Sequence, residues 1–246
     1  MEEDEILSAD IKSAYLRGLQ NGIPICLGYL SVSFTFGMMC TENDLPFWIA
    51  VLISMTNLTS AGQFAGTALI INGGSLFEIG LTTFVINIRY LLMSLSLSQR
   101  IDPALSIPKR LVMSFGVTDE IFGVSMQAKG QISAAYFIGL MTAPFWGWAL
   151  GTLIGATAVS LLPDMVRSAL GIAIYGMFLA VIIPPAREEH ALAWVIVLAA
   201  LISCVFYYVP VLNQRSSGWV IIICAVLASS FAAVKWPVGD EEDGEA

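Results

Sequence analysis

Phe77-Glu-Ile-Gly-Leu-Thr-Thr-Phe-Val-Ile-Asn-Ile-Arg89-Tyr-Leu-Leu-Met-Ser-Leu-Ser-Leu-Ser98 is long and apolar enough to cross a bilayer as one helix, yet it carries an arginine near its centre. A hydrocarbon core needs roughly 20 apolar residues in helical form. Placing an arginine at the middle of such a segment costs at least ~2.5–3.5 kcal/mol on insertion scales. An idle, lipid-facing guanidinium is therefore a poor reading of Arg89. Either a carboxylate pins it in place, or it contacts an anionic solute inside the membrane.

The rest of the chain has the same character. Its 246 residues are 57% hydrophobic and only 12% charged, about half the charge that a soluble domain carries. Further apolar runs fall near 19–40, 46–71, 111–128, 132–161, 167–186, 191–210 and 217–236, joined by short polar connections. The expected fold is an all-α integral membrane protein, a multi-span helical bundle with discontinuous or re-entrant helices. A secreted enzyme, a nucleic-acid binder and a disordered chain are excluded by this composition.

The net negative charge is confined to the ends. Five acids stand in the first ten residues and five after Gly239, while residues 11–239 hold all 11 basic residues against nine acidic ones. The sequence thus divides into an acidic N-terminal segment (1–17), a transmembrane domain (18–238) and an acidic tail (239–246). The N-terminus lacks the basic start of a cleaved signal. Cys26, Cys40, Cys204 and Cys224 lie in or beside apolar runs without a C-x-x-C pair, and read as small hydrophobes.

Several spans are poor uniform helices. Gly22, Pro24 and Gly28 weaken or interrupt the first. The second holds Asn57, Thr59, Ser60, Gly62 and Gln63 at its middle, a break followed by a restart that Thr59 or Ser60 would cap. The free N–H groups of a restarted helix favour a carboxylate, and transporters use half-helix ends in this way. Phe34, Phe36 and Phe64 supply apolar lining for a branched side chain.

In the fourth run, Asp119 and Glu120 are the acidic partners available to Arg89. Adjacent helical residues diverge by about 100°, so one pairs while the other faces elsewhere. The alternative is that this short stretch sits at the water interface. Asn87 and Arg89, two apart, point to different sides of a regular helix, and Glu78 reads as interfacial. Gly147, Gly151 and Gly155 share one face of the fifth run and mark a close helix packing, either an internal seam or a subunit contact.

Basic residues favour the cytoplasm, which places Lys12 and Arg17 there together with the loop holding Arg100, Lys109 and Arg110. Three full spans before that loop would put it outside. The conflict disappears if 46–71 enters and returns as two half-helices near Asn57–Gly62; if 111–128 is re-entrant too, the parity of the remaining spans is unchanged and both termini stay cytoplasmic. His190, the only histidine, cannot build a multi-histidine metal site, and neither a G-x-S-x-G nor a P-loop pattern occurs. No cofactor, metal site or enzymatic activity is expected.

With these residues in view, the chain resembles the AzlC family of branched-chain amino acid permeases. Pro24 and Phe34-Thr-Phe-Gly-Met-Met39 look like the family's first segment, and Thr59-Ser-Ala-Gly-Gln-Phe64 resembles its glutamine motif. Asn87-Ile-Arg-Tyr-Leu-Leu-Met-Ser94 is similar to its N-x-R-[HY] signature, with Tyr90 where many relatives carry His, followed by Thr118-Asp-Glu-Ile-Phe122. The resemblance implies export of valine, leucine or isoleucine across the bacterial inner membrane, with a small hydrophobic AzlD-type membrane subunit as partner. The substrate residues would be Thr59, Ser60, Gly62, Gln63, Phe64, Asn87 and Arg89, with Asp119, Glu120 and Arg89 as a charge pair or proton-coupling group. The rival expectation is a scaffold subunit that recruits a partner without moving a solute.

Overall fold

The computed structural model describes residues 2–128, 130–158, 189–210, 212 and 217–236, with scattered positions between 163 and 187 and side chains from Asp10 onward. The expected span at 167–186 and the tail at 239–246 lie largely or wholly outside the described residues. Regular structure among these residues consists of ten α-helices and one isolated bridge between Ile101 and Ile132. The helices are α1 (Glu2–Glu42), α2 (Phe47–Thr56), α3 (Ala61–Ile71), α4 (Leu76–Asn87), α5 (Arg89–Ser98), α6 (Ile107–Phe115), α7 (Asp119–Gln127), α8 (Ala134–Ala158), α9 (His190–Tyr208) and α10 (Ser217–Lys235). Four of them, α1, α8, α9 and α10, are long and apolar enough to cross a membrane, and the bent pair α4–α5 makes a fifth. The protein is an all-α membrane protein.

Two compact units divide the chain, residues 1–67 with 86–174 and residues 68–85 with 175–246. In the first, α1 and α8 form the frame. Tyr15 meets Gly139, Cys26 meets Gly147, Leu30 meets Gly151 and Phe34 meets Gly155. The numbers climb together, so the two helices run parallel. A Cβ on Gly155 would overlap the Phe34 carbonyl, and one on Gly37 the carbonyl of Thr152. Small residues on both helices therefore let the backbones touch, as in membrane helix pairs generally. The glycine stripe of α8 is an internal seam.

The same packing corrects the reading of the first span. α1 passes through Gly22 and Pro24 as one helix. Gly18 and Gly22 face the α8 backbone directly, so they serve contact rather than a break. In the bilayer no water competes for the backbone groups that Pro24 frees, and an adjacent helix holds the register.

Two segments fold back on themselves against this frame. α2 starts beside the C-terminal end of α1, where Ala50 packs with Phe36, Cys40 and Ala156, and ends where Leu58 packs with Tyr29 and Trp148. The chain then turns, and Phe64 on α3 lies edge-to-face on Phe36 at 5.2 Å, two helical turns back along α1. The 46–71 run is thus two half-helices.

The second fold-back lies at 111–128, the run that the sequence leaves between a short span and a re-entrant segment. Arg100 donates to the carbonyls of Met126, Ala128 and Gly130, and Ile132 N–H donates to the Arg100 carbonyl at 2.8 Å. Gly130 adopts a left-handed φ of 77° that closes this turn. The ends of α5 and α7 and the start of α8 therefore share one level. α6 leaves that level and α7 returns to it, with Gly116 at the tip against Met141 and Phe115 against Phe145. Neither nine-residue helix can cross a bilayer alone.

The 77–98 run is not a regular helix. α4 and α5 meet at a 45° bend beside Ile88. Arg17 and the 128–136 connection line one cavity, so the N-terminal part of α1 lies on the same side as Arg100. That arrangement satisfies the charge bias that three full spans would violate.

In the second unit α9 packs on α10. Glu78, expected at the interface, is 6% exposed and lies with Thr82 against Gly218 at the start of α10. A carboxylate there complements the positive end of the helix.

The seam gives a direct test. Gly155→Leu should destabilise the protein by about 3 kcal/mol, because backbone carbonyl rather than a flexible side chain must yield. Gly123→Ala, with open space around it, should be neutral or slightly stabilising. Thermal unfolding in detergent compares the two, and equal midpoints would contradict the seam.

Candidate functional site

Three chain breaks meet in the first unit: Asn57–Ser60 between α2 and α3, Ile88 between α4 and α5, and Gly116–Thr118 between α6 and α7. Arg89, the first residue of α5, pairs with Asp119, the first residue of α7, at 2.9 Å. Tyr90 donates to the Thr59 carbonyl at 3.3 Å, and the Asn87 amide lies against Gly62 in the first turn of α3. The bend at Ile88 has neither proline nor glycine to cause it. It sits where Asn87 and Tyr90 reach the 57–62 turn from either side, which is insertion of side chains rather than a weak backbone.

Arg89 also lies over its own neighbour, with the guanidinium carbon 5.2 Å from the Tyr90 ring centre and Nη2 donating to the Tyr90 hydroxyl at 3.4 Å. The ion pair is only partly covered, with the two side chains 38% and 35% exposed. Two atoms beside it, Asn87 Oδ1 and Arg89 Nε, are buried without a hydrogen-bond partner among the described residues. One accepts and the other donates.

Glu120 faces elsewhere. Its Oε2 accepts from the Tyr29 hydroxyl at 2.6 Å, and that hydroxyl is also 2.7 Å from Thr118 Oγ1. Thr118 caps α7 by accepting from Ile121 N–H. Tyr29 then stands edge-to-face on Trp148 at 5.1 Å. Neighbouring acids are thus held by different elements, Asp119 by α5 and Glu120 by α1.

Behind Trp148 lies a second polar chain. Trp148 Nε1 donates to Gln63 Oε1 at 2.9 Å, Gln63 Nε2 donates to Ser54 Oγ at 2.7 Å, and Ser54 meets Thr152 Oγ1 at 2.7 Å. Gln63 is 1% exposed. Its amide is committed to holding α2, α3 and α8 together rather than facing the opening. Phe64 and Phe36 are buried on one another. Thr59 donates to Asn57 Oδ1 at 2.6 Å, and Ser60 takes a left-handed φ of 46°, so neither hydroxyl caps α3 among the described residues. Such a backbone costs of order 1 kcal/mol and is held by its surroundings.

Of the residues singled out from sequence, Arg89, Asp119, Asn87, Gly62 and Thr59 converge directly. Glu120 joins through Tyr29, while Gln63 and Phe64 form the wall behind. Gly147, Gly151 and Gly155 belong to the α1–α8 seam. Tyr29, Trp148, Ser54 and Thr152 were not singled out, because aromatic and small polar residues in apolar runs look like ordinary packing.

The family model described as "AzlC protein" matches residues 24–162, more than half of the chain and all three breaks. The chain belongs to the AzlC family. It is 28% identical over 212 residues to "Inner membrane protein YgaZ" of Escherichia coli K12, covering 83% of this chain and 85% of that protein. An "Uncharacterized membrane protein" of Archaeoglobus fulgidus is 30% identical over 185 residues, covering 74% and 81%. No solved structure matches the chain.

Replacing Gln63 with leucine keeps its volume but strands the Trp148 N–H, while Ser54 keeps Thr152 as its partner. A cost of about 2 kcal/mol is expected in thermal or denaturant unfolding. An unchanged midpoint would mean that the wall does not depend on this amide.

Proposed function

We propose that this AzlC-family protein is a secondary transporter that exports branched-chain amino acids such as valine, leucine and isoleucine across the bacterial inner membrane. Both termini are cytoplasmic in this reading, and an AzlD-type small subunit is the partner. The observation that carries it is the convergence of three helix breaks on one partly open ion pair.

Each break brings together a helix C-terminus, with free carbonyls, and a helix N-terminus, with free N–H groups. A zwitterionic amino acid matches that pairing at both ends. Its carboxylate goes to Arg89 and the first turns of α3 and α5; its ammonium goes to Asp119, the Asn87 carbonyl oxygen and the carbonyl ends. The substrate therefore inserts into the Arg89–Asp119 pair and replaces each partner for the other. Side chains of the Thr59–Phe64 turn, backed by Phe36, receive the branched group.

Glu120 is the proton-carrying group in this scheme. While charged it accepts from Tyr29 and holds the α6–α7 hairpin to α1. Protonation weakens that bond and frees the hairpin to move, which links access to the proton gradient.

The test is flux of labelled valine in reconstituted vesicles, with and without the partner subunit. Arg89→Ala should abolish flux while the protein still assembles, and Glu120→Gln should leave exchange but remove concentration against a gradient. Undiminished valine flux in Arg89→Ala would reject the role given to the ion pair, and a scaffold subunit would show no flux in any form.

A further inference from the structure

A cavity of about 370 Å³ opens between the N-terminal part of α1 and the connection that leads into α8. Arg17 and Asn21 line it from α1, and Gln131, Ser133 and Tyr136 line it from the connection and the first turn of α8. Arg17 is the only charged residue among the described residues of its wall, and it makes no hydrogen bond or ion pair among the described residues. The other arginine at this level, Arg100, has its guanidinium turned to three carbonyls.

The remaining groups point the same way. Asn21 Nδ2 donates to the Tyr136 hydroxyl at 3.0 Å, so the phenolic proton is left to donate outward. Ser133 Oγ accepts from Tyr136 N–H at 3.3 Å and keeps its own proton for a ligand. Among the described residues the wall is thus a guanidinium with two hydroxyl donors and no carboxylate. It suits an oxyanion.

Position decides which oxyanion. The cavity sits where the apolar runs of both α1 and α8 begin, at the depth of lipid headgroups, and on the face that carries Arg100, Lys109 and Arg110. Arg17, Asn21, Pro24 and Gly28 recur at helical spacing on one side of α1. A side chain added at Gly28 would meet nothing within 4 Å. An open strip about 16 Å long therefore leads from Arg17 towards the middle of the bilayer, by the rise of eleven helical residues.

We infer that this cavity binds the phosphate headgroup of an anionic phospholipid, with an acyl chain lying along the Asn21–Gly28 strip. The headgroup phosphate meets Arg17, Tyr136 and Ser133. Basic pockets between spans on the cytoplasmic side are suited to such headgroups. The lipid bridges α1 and α8 at the end of their seam where the small-residue contact gives way to polar side chains. This inference does not depend on what the protein transports.

The experiment uses the full-length protein purified in neutral detergent and offered phosphatidylglycerol, phosphatidylcholine or inorganic phosphate. Bound lipid is counted by native mass spectrometry and thermal midpoints are read alongside. Phosphatidylglycerol should be retained and raise the midpoint, whereas phosphatidylcholine should not. Arg17→Gln should weaken retention about fivefold, the effect of one basic residue at an anionic surface. Lys12→Gln, which does not line the cavity, should leave it unchanged. Gly28→Leu fills the strip and should reduce phosphatidylglycerol retention while a soluble glycerol phosphate still binds. Equal retention by wild type and Arg17→Gln would overturn the site. Equal protection by inorganic phosphate and phosphatidylglycerol, with Gly28→Leu silent, would overturn the lipid and leave a free-anion site.

Discussion

A peptide group without a partner at bilayer depth costs several kcal/mol, and this chain ends six helices in the middle of one unit. α2, α4 and α6 stop there; α3, α5 and α7 start there. Such an arrangement survives only where the loose ends face protein or a water-lined opening. Arg89 and Asp119 join two of the starts, the Thr59 carbonyl takes the Tyr90 hydroxyl, and Thr118 caps α7. These polar residues answer breaks in the backbone beside them.

Those breaks need a frame that does not move with them, and the α1–α8 pair supplies it. Parallel helices in glycine-mediated contact present one continuous wall, with Tyr29 and Trp148 halfway along. Tyr29 ties the wall to the α6–α7 hairpin through Glu120, and Trp148 ties it to the α2–α3 turn through Gln63. Because α1 and α8 run the same way, the chain between them must change sides an odd number of times. Two fold-backs from opposite sides and one bent crossing meet that condition, and they bring both tips to the same wall.

Much of this was legible in the sequence, and the failures have physical causes. The break at Asn57–Ser60 announces itself because five polar or small residues interrupt an apolar run. That Arg89 needs a carboxylate, Asp119 or Glu120, follows from the cost of an unpaired charge in lipid; the choice of Asp119 is made by the fold. The bend at Ile88 does not show, because Ile and its neighbours are acceptable helix formers and the cause lies in a turn thirty residues away. Pro24 misleads in the other direction, since a packed neighbour keeps α1 continuous through a residue that would break a helix in water. Gln63 reads as a substrate group from its place at a helix restart and in the glutamine motif; its position between Trp148 and Ser54 shows an amide engaged in packing. Length leaves the run at 111–128 between a short span and a re-entrant segment, and Arg100's grip on the end of α7 decides for the second.

The central claim is that the helix breaks lie at the middle of the bilayer, and Ile88 reports on it most directly. This residue is 50% exposed and sits at the bend next to Arg89. A nitroxide attached to Ile88→Cys, in a background lacking the four native cysteines, can be measured for depth in liposomes by its relative relaxation with oxygen and a polar nickel chelate. The account predicts a depth near the bilayer centre, about 15 Å from either edge of the hydrocarbon core. A label at headgroup depth, as accessible to the chelate as one on a loop, would contradict it.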